Sequence, residues 1–484
     1  MKVQFAQDII VQPDDPTMPI RIESRTLEVA FRQWQAQLTR YQKLLDYYMG
    51  NQDFGEIHTG LNKIVSNHCR YIVDVLTGYL TGNEPRYNCA EGDAYGQAIL
   101  DLMREQNKWS IDQQIIEDLG IFGKTYELAF MPADKEEPNS VELDPLHAFV
   151  AFSGDMERDS LFGAVVYSYT NDDQQTIYRM YVYDREYRSI WESKNKGSDP
   201  RTWSMVDPFT PHGFGRVPLI EYKNNRKAMG DFEGIMELQD AYNSLLSDRQ
   251  DNQDSFAQAM LVLSGAVIGV TPDEINEGKV DLKKHKVLQL DEDVTAQYLV
   301  KTTDETGVQI IQDKYAADIH KMAMVPDLSD EKFAGNASGV AMMYKLFGTD
   351  QVVARIMAEF QKGFTRRCKL YDYRLNNPSM AEGYEPRAVI ADMTITFNLN
   401  EPQDLSYIAT ALTQLTGSNI ISKHTARRLV AVIPDPDAED ELVEEEQNES
   451  AERTRDTFDY DLIETQNRAL KEPEDAEETA DPEE

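Results

Sequence analysis

The first 122 residues carry apolar side chains at intervals of three and four, which predicts helices over about 24–49, 56–81 and 93–122. The second helix is followed by Gly82, which accepts a left-handed cap, and by Pro85, which cannot continue a helix. Its buried stripe consists of Ile57, Leu61, Ile64, Val65, Ile72, Leu76 and Tyr79. The chain is therefore expected to begin with a helical region.

The pattern changes between residues 124 and 222, where β-branched and aromatic residues cluster in short runs. Runs at 164–169, 176–183 and 187–191 are separated by short polar segments. Runs of this length and composition are typical of strands joined by hairpins. The sequence therefore predicts an antiparallel β unit here.

A long helix is predicted from Asp231 to about Leu263, and at 1.5 Å per residue it would extend roughly 50 Å. Apolar stripes occupy its two ends, but the band 247–255 is polar on every side. A helix that is polar all round is not typical of the core of a compact domain. We expect this helix either to bridge solvent or to pack among copies of itself around water.

A compact insertion is predicted over 264–301, with two strands around a short helix that begins with a capping box at 271–274. A second long helix (304–323) and an exposed loop (326–338) follow. A third long helix extends from about residue 339 to 375, with Gly348 and Gly363 as candidate kink points. The remaining predicted elements are a strand at 388–398, two short helices within 402–429 and an acidic, low-complexity tail from Pro434.

The formal net charge of −37 is unusually negative. Residues 435–484 hold 22 acidic and 4 basic side chains, and the rest of the chain holds 63 and 44. The tail is poor in apolar residues, so we expect it to be disordered apart from one short helix. Phosphate affinity comes from Lys and Arg that displace counterions. A body this acidic therefore suits a role in which DNA must not adhere.

Side chains for catalysis or metal binding form no recognisable motif. The seven histidines are scattered, and Gly213-Phe-Gly215 leads into neither a dinucleotide-binding loop nor a phosphate-binding loop. The cysteines, Cys69, Cys89 and Cys368, form no CxxC pair, which favours a reducing compartment over structural zinc. The sequence predicts no enzyme activity, no metal and no cofactor.

No membrane partner is expected. The apolar run Ile72–Leu80 is interrupted by Asp74 and is far shorter than the roughly 20 residues of a membrane span. The first 16 residues become acidic and proline-rich too early for a signal peptide. The sequence predicts a soluble protein.

One dense basic cluster, Lys283-Lys284-His285-Lys286, has two interpretations. It is either a solvated turn between two strands or a docking patch for an acidic partner. The acidic tail likewise serves either as a solubilising segment or in a role that faces the interior of a larger assembly.

Several short segments, in their joint order and spacing, resemble the portal proteins of tailed bacteriophages, and more specifically those of siphophages of Gram-positive hosts. The similarity extends from about residue 40 to 380. It is carried by Leu61–Asn67, Ile72–Pro85, Asp118–Tyr126, Val217–Asn224, Asp240–Asn243 with Ser247-Asp248, and Asn336–Ala341.

This resemblance implies an α+β portal fold with long stem and wing helices, an antiparallel β-rich wing, a small α/β clip and a helical crown. By segment, it implies wing at 1–230, a stem helix at 231–263, the clip at 264–303, a second stem helix at 304–324, the tunnel loop at 325–338, wing again at 339–401, the crown at 402–433 and the tail at 434–484.

The resemblance also implies the site residues. The DNA channel would be contacted by Asp330, Glu331, Lys332 and Asn336 of the tunnel loop and by Asp248, Arg249, Gln250, Asp251 and Asn252 of the stem. Clip residues Lys283, Lys284, His285 and Lys286 would dock partner proteins.

The family is expected to form a twelve-subunit ring at the capsid vertex of the virion, assembled in the host cytoplasm. Double-stranded DNA would pass through the ring during packaging and ejection. The expected protein partners are the terminase ATPase, head-completion or adaptor proteins, and the major capsid and scaffold proteins.

A second interpretation is an acidic structural adaptor or scaffold protein of a phage that never contacts DNA. Subunit contacts of one heterologous type close into a ring when their rotation divides the circle. A ring with an open axial channel would favour the portal, and a monomer or dimer would favour the adaptor.

Overall fold

The chain clusters into two units, Met1–Glu401 and Pro402–Glu484. In the computed structural model of the chain, the described residues are 8–12, 25–53, 62–193, 202–257, 260–264, 295–299, 305–328, 339–376, 390, 392–400, 405–430, 439–440, 442–448 and 450.

The described helices of the first unit differ widely in length, and two helices of the second unit are given after them. They are α1 (Arg25–Met49), α2 (His68–Thr81), α3 (Ala94–Glu105), α4 (Lys108–Phe122), α5 (Met236–Ala257), α6 (Glu305–Ala323), α7 (Gly339–Asn376), α8 (Leu405–Gly417) and α9 (Lys423–Arg428).

The strands among the described residues belong to the first unit. They are β1 (Ile9–Val11), β2 (Arg86–Asn88), β3 (Lys124–Phe130), β4 (Asn139–Leu143), β5 (Ala148–Ser153), β6 (Ser160–Thr170), β7 (Thr176–Tyr183), β8 (Tyr187–Ser193), β9 (Ser204–Pro211), β10 (Leu219–Lys223), β11 (Met260–Ser264), β12 (Thr295–Leu299) and β13 (Thr394–Thr396).

A six-stranded sheet in the order β1-β5-β6-β7-β8-β9 is the largest β structure among the described residues. Its strands are antiparallel except that β1 runs parallel to β5. A three-stranded sheet has the order β10-β3-β4, and β11-β12 and β13-β2 form pairs. The predicted α+β class and the hairpins of the 124–222 region are confirmed.

α1 covers one face of the six-stranded sheet with aromatic side chains. Trp34 stacks on Phe149 of β5 with ring centroids 5.3 Å apart, and Phe31 meets Trp203 edge-on at 6.3 Å. The indole N–H of Trp34 donates to the carbonyl of Pro145 at 3.0 Å, so its polar atom is satisfied inside this core.

α7 crosses the larger core as an uninterrupted helix, including the two glycines that were candidate kink points. At Gly363 a Cβ atom would lie 2.2 Å from Cε1 of Tyr222, so the absent side chain is what lets β10 approach the helix. Gly363 therefore serves close packing rather than bending.

An ion-pair network holds the same part of α7 in place. Arg367 is fully buried and contacts Asp112 Oδ1 at 2.7 Å and Glu127 Oε1 at 2.8 Å. Burial raises the pKa of Glu127, but the positive charges of Arg367 and Lys108 lower it by more. This pKa therefore lies below its ordinary value. Tyr222 also donates to Glu127 at 2.7 Å. Buried charges paired in this way are costly to separate.

Two helices predicted near the N-terminus are shorter in the structure. The helix expected from residue 56 begins at His68, because Asn67 caps it by accepting from the Arg70 N–H at 3.0 Å. Residues 62–67 before it are not helical. The helix expected over 93–122 is divided into α3 and α4 at Asn107, whose φ is +52°.

The long helix predicted over 231–263 also ends early. α5 stops at Ala257, and Met260–Ser264 forms β11, which pairs antiparallel with β12. The run Met-Leu-Val-Leu satisfies its backbone groups across this pair instead of along the helix. The strands predicted inside 266–290 lie outside the described residues.

The second unit contains α8 and α9. Ser422 caps α9 by accepting from the Thr425 N–H at 3.0 Å. Asp440 forms ion pairs with His424 and Arg427, and residues 442–448 are helical. Part of the segment predicted as an acidic tail is therefore structured.

Candidate functional site

The two helices predicted to form the stem lie side by side. Arg249 of α5 donates from Nη1 to Gln309 Oε1 at 2.7 Å and to Gln312 Oε1 at 2.8 Å. Its Nε lies 3.4 Å from a carboxylate oxygen of Glu305, also on α6. Arg249, predicted as a channel residue, is thus half-buried and joins the two helices.

One face of the polar band binds another segment of the same chain. Polar side chains four residues apart on α5 meet the backbone of the segment that precedes α2. Gln239 donates to the Ser66 carbonyl (2.6 Å), and Asn243, Ser247 and Asp251 accept from the N–H groups of Ser66 (3.0 Å), Ile64 (3.0 Å) and Asn62 (2.9 Å).

This hydrogen-bonded ladder explains part of the unusual polarity of α5. The Asn62 side chain donates to Asp251 and to Asp254, both at 2.7 Å, and closes the end of the ladder. Buried backbone groups need partners of this kind. The four-residue spacing of Gln239, Asn243 and Ser247 was the available signal, but sequence reasoning treated only 247–255 as a uniform band.

The remaining band residues face outward to different degrees. Asp248 and Gln250 are exposed, whereas Asn252 is half-buried like Asp251. Gln250 donates to Asp254 at 3.0 Å. Of the five stem residues predicted for the channel, Asp248 and Gln250 therefore have the orientation that a solvent-facing role requires.

The other predicted site residues lie outside the described residues. These are Asp330, Glu331, Lys332 and Asn336 of the tunnel loop and Lys283, Lys284, His285 and Lys286 of the clip.

Large apolar side chains are exposed on α6 and on the first turns of α7. The most exposed are Tyr344 at 80%, Met343 at 68%, Ile310 at 63%, and Phe347 and Met322 at 62%. α7 adjoins the turn that follows α6, because Thr349 donates from Oγ1 to the Met324 carbonyl at 2.8 Å. Large apolar side chains exposed in this way are candidate contact residues.

A cavity of about 470 Å³ lies beside this apolar surface. Its lining includes Met322, Met324, Val352, Arg355 and Asp231. Burial raises the pKa of Asp231 to about 6, against the opposing effects of the hydrogen bond from Asn224 and the charge of Arg355.

Within the part of the chain that the structure describes, we find no group of side chains arranged as a catalytic or metal-binding site. There, no three His, Cys, Asp or Glu side chains group as metal ligands. Burial raises the pKa of the Cys368 thiol to about 12, which opposes thiolate formation. No helix among the described residues is long and apolar enough to cross a membrane. The polar face of α5 and the exposed apolar side chains of α6 and α7 are suited to contact with macromolecules.

Comparison with known proteins defines the class as a phage portal protein. Residues 27–453 match the family described as Phage portal protein, SPP1 Gp6-like, and the chain belongs to this family. It is 25% identical over 403 residues to the portal protein of Bacillus phage SPP1, a match that covers 81% of this chain and 77% of that protein. The predicted family is confirmed.

Two solved particles contain chains with limited similarity. The neck of an empty gene transfer agent particle, computed with C6 symmetry, matches with a TM-score of 0.43 and 12% identity over 73% of this chain and 86% of that one. The virion of a native gene transfer agent particle gives 0.42 and 11% over 80% and 92%.

Family membership establishes the broad role. The protein is a structural component of a phage virion and acts as the portal at the capsid vertex. The family is structural and not generally enzymatic.

Proposed function

We propose that about twelve copies of this chain close into a ring around an axial channel, through which double-stranded DNA enters and leaves the capsid. The exposed apolar surface of α6 and α7 is the observation that carries this proposal. Side chains such as Tyr344 and Phe347 are largely exposed in the single chain, although aromatic residues of this size are usually buried. Neighbouring copies would cover them.

The charge distribution supports passage of DNA without tight binding. Residues 1–434 alone have 63 acidic and 44 basic side chains, so a ring of any size would repel phosphate overall. We propose that Asp248 and Gln250 of α5, with Asp330, Glu331, Lys332 and Asn336 of the tunnel loop, face the DNA. Arg249, Asp251 and Asn252 would support them from within the subunit.

We also propose that the clip docks the terminase and the head-completion or adaptor proteins through Lys283, Lys284, His285 and Lys286, and that capsid and scaffold proteins contact the outer ring. The protein would assemble in the host cytoplasm without enzymatic activity of its own. Reversing the three lysine charges should reduce terminase capture in a pull-down while the ring mass stays unchanged. Undiminished capture would contradict the assignment.

The role of Asp248 can be tested by charge reversal. In a ring of Asp248→Lys subunits, each copy would present a cation to the channel, so linear duplex DNA should be retained several-fold more at low salt. Retention should return to the wild-type level near about 0.15 M salt, where the screening length is about 8 Å. Filter binding across a salt series measures this effect.

Asp172→Lys provides the matched control, because Asp172 is exposed in the turn between β6 and β7. It makes the same change in net charge away from the stem. Equal retention by both variants would mean that overall charge is responsible, and unchanged retention by Asp248→Lys would contradict its place in the channel.

A further inference from the structure

The chain leaves α6 through a turn that is fixed by hydrogen bonds. Met324 adopts a left-handed backbone with φ of +58°, and the Val325 N–H donates to the His320 carbonyl at 3.2 Å. Val325 is buried at 1% exposure, so the turn packs inward before the chain continues. The first residues of the predicted tunnel loop are therefore part of the folded subunit.

Three helices contribute side chains that hold residues 324–328. Thr349 of α7 donates to the Met324 carbonyl at 2.8 Å, and His320 Nδ1 of α6 lies 3.1 Å from the Val325 carbonyl. Tyr71 of α2 supplies two further contacts.

The hydroxyl of Tyr71 bridges two backbone groups. It accepts from the Leu328 N–H at 2.8 Å and lies 3.3 Å from the Pro326 carbonyl, to which it donates. A phenol oxygen can do both at once, whereas a phenylalanine ring can do neither. Leu328 is 44% exposed, so this bond restrains the backbone at the point where the chain emerges.

The ring of Tyr71 is itself held by aromatic neighbours from two further helices. It meets His320 edge-on with centroids 5.4 Å apart, and His320 meets His68 at 5.3 Å. His68 in turn meets Tyr242 of α5 at 4.9 Å. These aromatic contacts link α2, α5 and α6 next to the turn at 324–328.

We propose that Tyr71 is a positioning residue that fixes where, and in which direction, the chain leaves the stem toward residues 329–338. An effect of Tyr71 on DNA movement rests on the proposed function of the tunnel loop. The restraint of the backbone at Leu328 does not depend on that function, so each of these two expectations can be contradicted without the other.

The substitution Tyr71→Phe tests this proposal because it keeps the ring packing and removes only the hydroxyl. Loss of one hydrogen bond of ordinary strength should speed amide exchange at Leu328 about three- to tenfold. The urea midpoint of unfolding and the mass of the assembled protein should stay close to wild type. Hydrogen exchange of the full-length protein, read at Leu328, measures the effect.

Tyr169→Phe is the matched control. Its hydroxyl donates to Glu192 at 2.9 Å on the surface of the six-stranded sheet, so its loss should leave exchange at Leu328 unchanged. Thr349→Val removes a second restraint on the same turn and should also speed exchange there, which extends the test beyond one variant.

Each outcome is decisive. Faster exchange at Leu328 without a shift in the unfolding midpoint supports the proposal. It is overturned by wild-type exchange at Leu328, or by a uniform rise at all protected amides with a lower midpoint, because that would be general destabilisation. In phage complemented with Tyr71→Phe, a lower yield of filled capsids supports the functional consequence, and a wild-type yield overturns it. Failure of the wild-type protein to form rings would contradict the proposed function instead.

Discussion

The two ends of α7 contrast sharply. Toward its C-terminus, Arg367 is fully buried and its charge is neutralised by two carboxylates of the same subunit. Near its N-terminus, Tyr344 is 80% exposed and Phe347 is 62% exposed. The C-terminal end satisfies its side chains within one chain, whereas the N-terminal end leaves apolar area in water. One helix thus joins a region whose charges are paired within the subunit to a region that exposes large apolar side chains.

The polar residues of the two regions follow the same division. The region around the C-terminal half of α7 encloses charges in a network that includes Asp112 and Glu127, which lie 255 and 240 residues from Arg367. On α5, Asp248 and Gln250 face outward. Stability of the fold is therefore expected to depend on the buried network, and assembly on the exposed side chains of α6 and of the first turns of α7.

The largest expected effect on stability comes from breaking the buried ion pairs of Arg367 with Asp112 and Glu127. Arg367→Met would leave two buried carboxylates without their cation, which should cost about 3–5 kcal/mol of unfolding free energy. Urea denaturation measures the loss. Arg32→Met is the control, because its ion pair with Glu28 lies at the surface, where pairs contribute little. Equal losses in both variants would contradict the special role of the buried network.

A change near the N-terminus of α7 should act on assembly and spare the fold. Phe347→Asp places a charge on the exposed apolar surface, so the ring should dissociate to the 55.3 kDa subunit while the unfolding midpoint is kept. Mass photometry and thermal unfolding report the two properties. Met156→Asp alters a fully exposed apolar residue between β5 and β6 and should leave the ring intact. If Phe347→Asp still formed full rings, this surface would not be the contact.

A smaller effect on stability is expected where α5 contacts the segment that precedes α2. Asp251→Ala removes the acceptor for the Asn62 backbone N–H and one of the two acceptors for its side-chain amide, and the half-buried site should lose about 1 kcal/mol. Asp172→Ala, in the exposed turn between β6 and β7, should leave the unfolding free energy unchanged. Chemical denaturation of both variants compares them. Equal stability would mean that the ladder contributes nothing measurable.

Sequence reasoning located the long periodic elements well. The predicted helices 24–49, 304–323 and 339–375 agree with α1, α6 and α7 to within one residue at each end. Their apolar stripes are long enough to fix both type and extent. The hairpins of β6, β7 and β8 carried equally clear aromatic and β-branched runs.

Local breaks were harder to predict. Ile64 and Val65 continued an apparent helical stripe, but the Asn67 cap and the ladder on α5 hold residues 62–67 in another conformation. The ladder joins residues about 180 positions apart, so its strength does not appear in any local window. The partners of Arg367 could not be predicted for the same reason, because they lie 255 and 240 residues away in the sequence.

The candidate site divides in the same way. The polar band on α5 was evident from the sequence, but which of its faces meets solvent was not. That depends on α6, through Arg249, and on the segment before α2, through Asp251. The exposure of Tyr344 and Phe347 was not predicted, because periodicity does not distinguish a core contact from a contact with another subunit.

Electron microscopy of the purified wild-type protein tests the central claim most directly. Class averages along the symmetry axis should show closed rings of about twelve subunits with an open centre, because α6 and α7 expose apolar surface that copies of the chain would cover. A population of monomers or dimers across salt and protein concentration would contradict ring closure and favour the acidic adaptor instead.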